Sequence, residues 1–182
     1  MPISLTSTRI RVVPVHLLPP ATVLGLGVAA DQRVYVGDIA LNVADAERDP
    51  LSDAMVVLAG ERPVGFYRLD RALRTVCGHE MDEPALGLRA LFIDQRVQGR
   101  GYGRAAIEAC CEDARQRYPE RRLLILSVNG CNQAAIATYL STGFHDTGER
   151  LPGGAAATQL LMIKRLQPAA PAVFAPIRTR DR

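Results

Sequence analysis

The sequence predicts an α/β protein with a central mixed, mostly antiparallel sheet flanked by helices. Two patterns carry this expectation. Residues 54–59 and 64–69 are short apolar runs on either side of Gly60-Glu61-Arg62-Pro63, which reads as a hairpin closed by a four-residue turn. Residues 86–94 and the nearly unbroken apolar run 123–128 enclose a segment of helical period, giving strand, helix and buried strand, a βαβ unit. A chain of 182 residues, 48% hydrophobic and 23% charged, has enough apolar surface for one core and excludes bulk disorder.

The elements follow in order. Residues 9–15 concentrate β-branched side chains and read as a strand, with Pro14 marking a sheet edge. Pro19-Pro20 forces a turn, and residues 12–30 read as this strand followed by a loop and a short helix. The same stretch has the charged, apolar and small-residue parts of a secretory leader, but Pro14, Pro19, Pro20 and His16 interrupt it. Gly37-Asp38 opens a helix over residues 39–48, which ends before Asp49-Pro50. Residues 75–84 read as a loop. Between residues 103 and 118, Ile107, Cys110, Cys111, Ala114 and Tyr118 fall on one helical face, and Pro119 follows the stop. Asn132 caps a helix over residues 133–140, with Gly143 in the left-handed position beyond it. Residues 144–147 and 158–166 supply the last two strands. The domain spans residues 1–166, and residues 167–182, rich in proline and alanine, form a basic tail.

Charge and cysteine usage narrow the function classes. A net charge of +3 with scattered arginines does not build a nucleic-acid face, and no segment reads as a membrane span. Cys77, Cys110, Cys111 and Cys131 form no C-x-x-C pair and read as reduced packing residues of a cytoplasmic protein. Cys77 and His79 are the nearest approach to a metal site, and no metal is expected.

Gln98-Gly99-Arg100-Gly101-Tyr102-Gly103-Arg104 lies between a strand and the start of a helix. Glycines let backbone approach a ligand, and a helix N-terminus offers unpaired N–H groups to phosphate. Arg100 and Arg104 add positive charge. The Walker pattern fails for want of lysine. Gly101-Tyr102-Gly103-Arg104-Ala105-Ala106 satisfies the dinucleotide pattern, yet the next strand ends at Asn129, with no acidic residue for a ribose. A turn that merely starts a helix remains open on these residues alone.

Gln98-x-x-Gly101-x-Gly103 resembles the Q/R-x-x-G-x-G/A motif of the GNAT family of N-acetyltransferases. Asn132-x-x-Ala135-Ile136-x-x-Tyr139-x-x-x-Gly143-Phe144 is similar to the family's later N-x-x-A-I-x-x-Y-x-x-x-G-F stretch. The resemblance implies a sheet splayed between strands 4 and 5 and acetyl-CoA as cofactor. It assigns Phe92 and Ile93 to the pantetheine arm, Gln98, Gly99, Arg100, Gly101, Tyr102, Gly103 and Arg104 to the pyrophosphate, and Asn132 to the cofactor side of the next helix. It also makes a homodimer a natural partner state.

Read by helical spacing, Tyr139 is a core residue beside Ile136 and Leu140; the resemblance implies instead a catalytic acid for the departing thiolate. Where many relatives carry a carboxylate on the fourth strand, this chain has Gly87, Arg89 and Ala90, so no base is identified. Residues 88–103 also resemble bacterial spermine and spermidine acetyltransferases. That weaker likeness, with Glu80, Asp82 and Glu83 nearby, gives a small polycationic amine as the expected acceptor. A protein N-terminus or lysine is the alternative acceptor, and a non-catalytic acyl-CoA-binding domain the alternative function.

Overall fold

The computed structural model describes residues 9–153 and 158–166. The expected tail, 167–182, lies outside the described residues. Seven strands form one sheet in the order β1-β2-β3-β4-β5-β7-β6. They are β1 (Ile10–Pro14), β2 (Ser52–Ala59), β3 (Arg62–Asp70), β4 (Ala85–Ile93), β5 (Leu123–Asn129), β6 (His145–Leu151) and β7 (Gln159–Arg165). Every pairing is antiparallel except that of β4 with β5. Pro14 ends a strand at the sheet edge, where a missing N–H costs no ladder bond.

Helices cover both faces. Met55, Val57, Tyr67 and Leu69 pack with Ile107, Cys110, Cys111 and Ala114 of α4 (Tyr102–Arg117), while Val56, Leu58 and Phe66 face Ala46 of α3 (Ile39–Arg48) and Val23 of α1 (Pro20–Leu24). Burial on both sides explains why β2 is apolar without alternation from Ala54 to Ala59. The segment with leader-like composition folds as β1, a 3-10 turn and α1. Among the described residues no helix is long and apolar enough to cross a membrane.

Local caps stop and start the helices as their sequences predict. Asp38 Oδ1 accepts hydrogen bonds from the N–H groups of Ala40 (2.8 Å) and Leu41 (3.1 Å) at the start of α3. Asn132 Oδ1 accepts from Ala135 N (3.2 Å) at the start of α5 (Gln133–Ser141). A short helix, α2 (Arg33–Val36), has no counterpart among the predicted elements; at four residues it is too short to show a period.

Two expectations are corrected. The hairpin turn is shorter than the four residues predicted, because β3 already begins at Arg62. Leu58 pairs with Pro63 but Val57 with Gly65, so a bulge at Val64 sits beside the proline that cannot donate to the ladder. Cys77, Cys110 and Cys111 are buried as packing residues, but Cys131 is exposed, standing in the turn ahead of α5. All four are free thiols.

The β3–β4 contact is tight at Gly65. A Cβ there would lie 2.5 Å from the Phe92 carbonyl oxygen and 2.9 Å from Ile93 Cδ1. Neither backbone can withdraw without breaking the pairing of Gly65 with Ile93. Gly65→Ala is therefore expected to destabilise the fold by about 1–3 kcal/mol, the usual cost of overpacking, read as a lower urea midpoint; an unchanged midpoint would show that the strands can part.

Candidate functional site

The site begins where β4 and β5 separate. They pair only through Ala85, Leu86 and Gly87 with Leu123, Leu124 and Ile125, although β4 continues to Ile93 and β5 to Asn129. The departure has a local cause. Between Phe66↔Phe92 and Arg68↔Arg89, Tyr67 of β3 faces two residues of β4, Ala90 and Leu91, and Ala90 takes φ 50°. Such a bulge bends its strand, and a non-glycine residue in the left-handed region is held there by its surroundings. Beyond Gly87 the β5-facing edge of β4 has no strand partner, leaving main-chain groups for an extended ligand.

A cavity of about 620 Å³ opens on this gap. Of the residues expected to hold the cofactor, Phe92, Ile93, Gln98, Gly99, Gly101, Tyr102, Gly103, Arg104 and Asn132 line it, and Arg100, exposed, does not. Gln98 shapes the approach through its side chain: its Nε2 donates to the Ile93 carbonyl (2.8 Å), and it exchanges hydrogen bonds with the Gln32 amide (3.0 and 3.2 Å). Arg104 lines the cavity while pairing with Glu108 (3.0 Å) one turn along α4.

The floor of the cavity is the start of α4. Its N-cap, Gly101, has φ 81°, provides no side-chain cap, and precedes a first turn without acidic residues. α3 and α5 have their first N–H groups satisfied by Asp38 and Asn132; α4, at 16 residues the longest helix described, does not. Gly101, Tyr102, Gly103 and Arg104 of this end line the cavity, and a Cβ on Gly101 would meet nothing within 4 Å. This arrangement fits the pyrophosphate of acetyl-CoA, and the unpartnered β4 edge fits an amide-bearing arm.

Asp94, the expected end of a strand, ties the loop in place. Buried, it accepts from Gly27 N (3.1 Å), Arg96 N (2.9 Å), Arg96 Nε (2.7 Å) and Arg96 Nη2 (2.7 Å), tying the loop before Gln98 to the segment after α1. Hydrogen bonds from Arg96 hold its carboxyl below the ordinary carboxylate range. The stabilisation is thus present above the unfolded value and is lost as pH falls through the lowered one. An acid followed two residues later by its own donor was the signal in the sequence.

Tyr139 sits in α5, buried, edge-on to Phe144 at 5.5 Å between ring centroids. It is both a core residue, as helical spacing predicts, and a wall of the cavity. Burial pushes its phenol well above the usual value, which already lies above neutral pH.

A second cavity of about 320 Å³ lies within the splay, lined by Leu88 to Leu91 of β4 and Leu126 to Asn129 of β5. The two cavities share Tyr35, Val36, Leu91, Asn132, Ala135 and Tyr139. Glu80, Asp82 and Glu83 line neither. The acidic loop enters β4 at its paired end, away from the gap; Glu83 pairs with Arg165 (2.6 Å) and Glu80 with Arg74 (3.5 Å). Sequence reasoning missed Tyr35 and Val36, contributed by the unpredicted α2, and Ser127, Asn129 and Gln159, whose strands appeared only as core.

Gly101→Val places a β-branched residue at φ 81°, where an L-residue costs roughly 1–2 kcal/mol. The strain falls on the loop that faces the ligand, so acetyl-CoA affinity is expected to drop by at least about tenfold while the core holds. Calorimetry on the folded variant checks this; unchanged affinity would remove the loop from the site.

The sequence profile of the acetyltransferase (GNAT) family matches residues 26–144, which include the gap, the glycine loop and Tyr139. The uncharacterised N-acetyltransferase YbbJ of Bacillus subtilis (strain 168) is 30% identical over 99 residues, covering 54% of this chain and 62% of that relative's own length. Among solved structures, the aminoglycoside acetyltransferase AAC(6')-Ib in complex with coenzyme A superposes with TM-score 0.68 at 16% identity, over 86% of this chain and 95% of that one. Spermidine N-acetyltransferase from Vibrio cholerae, in complex with CoA and spermine, gives TM-score 0.62 at 15% identity, over 86% of this chain and 95% of that one. At such identities the two structures share the fold. The profile match extends over more than half of the sequence, and the chain belongs to the acetyltransferase (GNAT) family.

Proposed function

We propose that the chain transfers an acetyl group from acetyl-CoA to the primary amine of a small acceptor, by direct attack within a ternary complex. The observation that carries this is the uncapped start of α4 beneath a glycine loop, opening onto the gap between β4 and β5 with Tyr139 between two cavities. The second cavity, about 320 Å³, is at the lower end of the range for small-molecule sites, which favours a small acceptor over a protein chain.

Acetyl-CoA, when bound, supplies the acetyl group activated as a thioester. The first-turn N–H groups of α4, with Arg104 beside them, bind its phosphates, and the free β4 edge orients the arm. Tyr139, protonated at neutral pH as phenols ordinarily are, gives its proton to the sulfur as the C–S bond breaks and the N–C bond forms. It recovers the proton that the amine releases to solvent, so the products are an N-acetyl amide and the CoA thiol. No carboxylate or histidine is found among the described residues lining the second cavity, so the acceptor's proton leaves through water. The same feature is what a non-catalytic acyl-CoA-binding domain would display.

Tyr139→Phe separates these readings, since it keeps the ring packed on Phe144 and deletes only the hydroxyl. Turnover is expected to fall by about 10²- to 10⁴-fold, the usual range for acid–base catalysis, with acetyl-CoA affinity nearly unchanged. Thiol release followed with an amine panel measures it. Full turnover in the variant returns Tyr139 to a packing role, and no turnover by the native chain on any amine overturns the transferase reading.

A further inference from the structure

The second cavity has an unbalanced charge. Arg89 is the one charged residue among the described residues that line it. Its Nη1 donates to Asp70 Oδ2 (2.9 Å), but Asp70 is already served from behind. Arg68 Nη2 lies 3.6 Å from Asp70 Oδ1, the Ser52 hydroxyl donates to the same oxygen, and Thr75 Oγ1 lies 3.1 Å from Oδ2. Asp70 and Arg68 are 1% and 3% exposed, so the buried carboxylate faces one buried guanidinium and, through Arg89, a second that reaches the cavity. A buried group of this kind is stable only if its excess charge reaches solvent or a counter-ion.

Arg89 is where the excess emerges. It is the only member of the pair of arginines to reach the cavity, its side chain is 37% exposed, and its Nε and Nη2 have no partner among the described residues. The fork so presented matches a carboxylate, which can take two parallel hydrogen bonds from it. Around it, Thr75, Ser127, Asn129 and Gln159 offer neutral polar groups. A polycation would meet a like charge there, with no carboxylate among the described residues lining the cavity.

We infer that the acceptor is an amino-carboxylate, an amino acid or short peptide whose carboxylate is held by Arg89 while its amine points toward Tyr139. The inference rests on the transferase reading above and narrows it. The same guanidinium helps the reaction, because a nearby positive charge disfavours the ammonium form of the amine and raises the share of the nucleophilic neutral form. That matters in a cavity whose described lining has no base. The α-amine of a peptide also starts closer to neutrality, with an ordinary pKa of about 7.7–8.0 against about 10.4 for an alkyl amine of the lysine type. The bonds exchanged are those already given, an N–C bond for a C–S bond, with the amine's proton ending on the sulfur.

The test pairs each of several L-amino acids and dipeptides with its C-terminal amide, adds spermidine and ribostamycin as carboxylate-free amines, and follows thiol release from acetyl-CoA. In the native chain the free acids are expected to exceed their amides by about 10- to 100-fold in kcat/KM, the range for a charge-assisted hydrogen bond. Arg89→Gln should bring that ratio close to one by slowing the acids about 10- to 100-fold more than the amides, a selective change that general loss of structure cannot produce. If the variant does not fold, the acid-to-amide ratio of the native chain decides alone. Equal use of acids and amides, or preference for spermidine or ribostamycin, overturns the amino-carboxylate acceptor and leaves the transferase reading standing. Turnover on no amine, with acetyl-CoA bound, overturns both.

Discussion

Everything at the site depends on β4 being held by β3 while it is released by β5. A strand in the middle of a sheet normally spends both edges on neighbours, and an unpaired buried edge is costly. Here the bulge at Ala90 and Leu91 turns β4 away after only three paired residues, while Gly65 keeps the opposite edge pressed against β3. The tight contact on one side allows the open one on the other.

The gap also sorts chemistry by position. On one side of Tyr139 the walls present backbone donors and a helix end, suited to an anionic and extended guest. On the other they present neutral amides, hydroxyls and a single arginine. Tyr139 is fixed between them by packing, through its edge contact with Phe144 and its burial in the core, and not by a hydrogen bond to a charged group. Burial, with Cys110 adding to it, raises the phenol further above its ordinary value.

Much of this was legible because it is local. The caps at Asp38 and Asn132, the apolar face of α4 and the glycine loop are each written within a few consecutive residues, and short-range rules read them. What was missed is non-local. The acidic residues Glu80, Asp82 and Glu83 stand next to β4 in sequence, but β4 is nine residues long, and they meet its paired end while the cavities open at the other. The balance of Arg68, Asp70 and Arg89 comes from neighbouring strands and depends on a register shift that no run of residues announces. Pro63 was read as a turn residue because a strand proline is rare, and the bulge that accommodates it is a property of the pair.

The bare start of α4 ties the fold to its surroundings. A side-chain cap is worth about 1 kcal/mol to a helix, and α4, the longest helix described, which packs on one face of the sheet, goes without. On the proposed reading the cap arrives as a phosphate from solution, and a ligand that binds only the folded state stabilises it in proportion to the logarithm of its concentration. The chain's resistance to unfolding then becomes a readout of the acyl-donor supply. A protein starved of donor would be a looser target for proteolysis than one that is replete, with no change in its sequence.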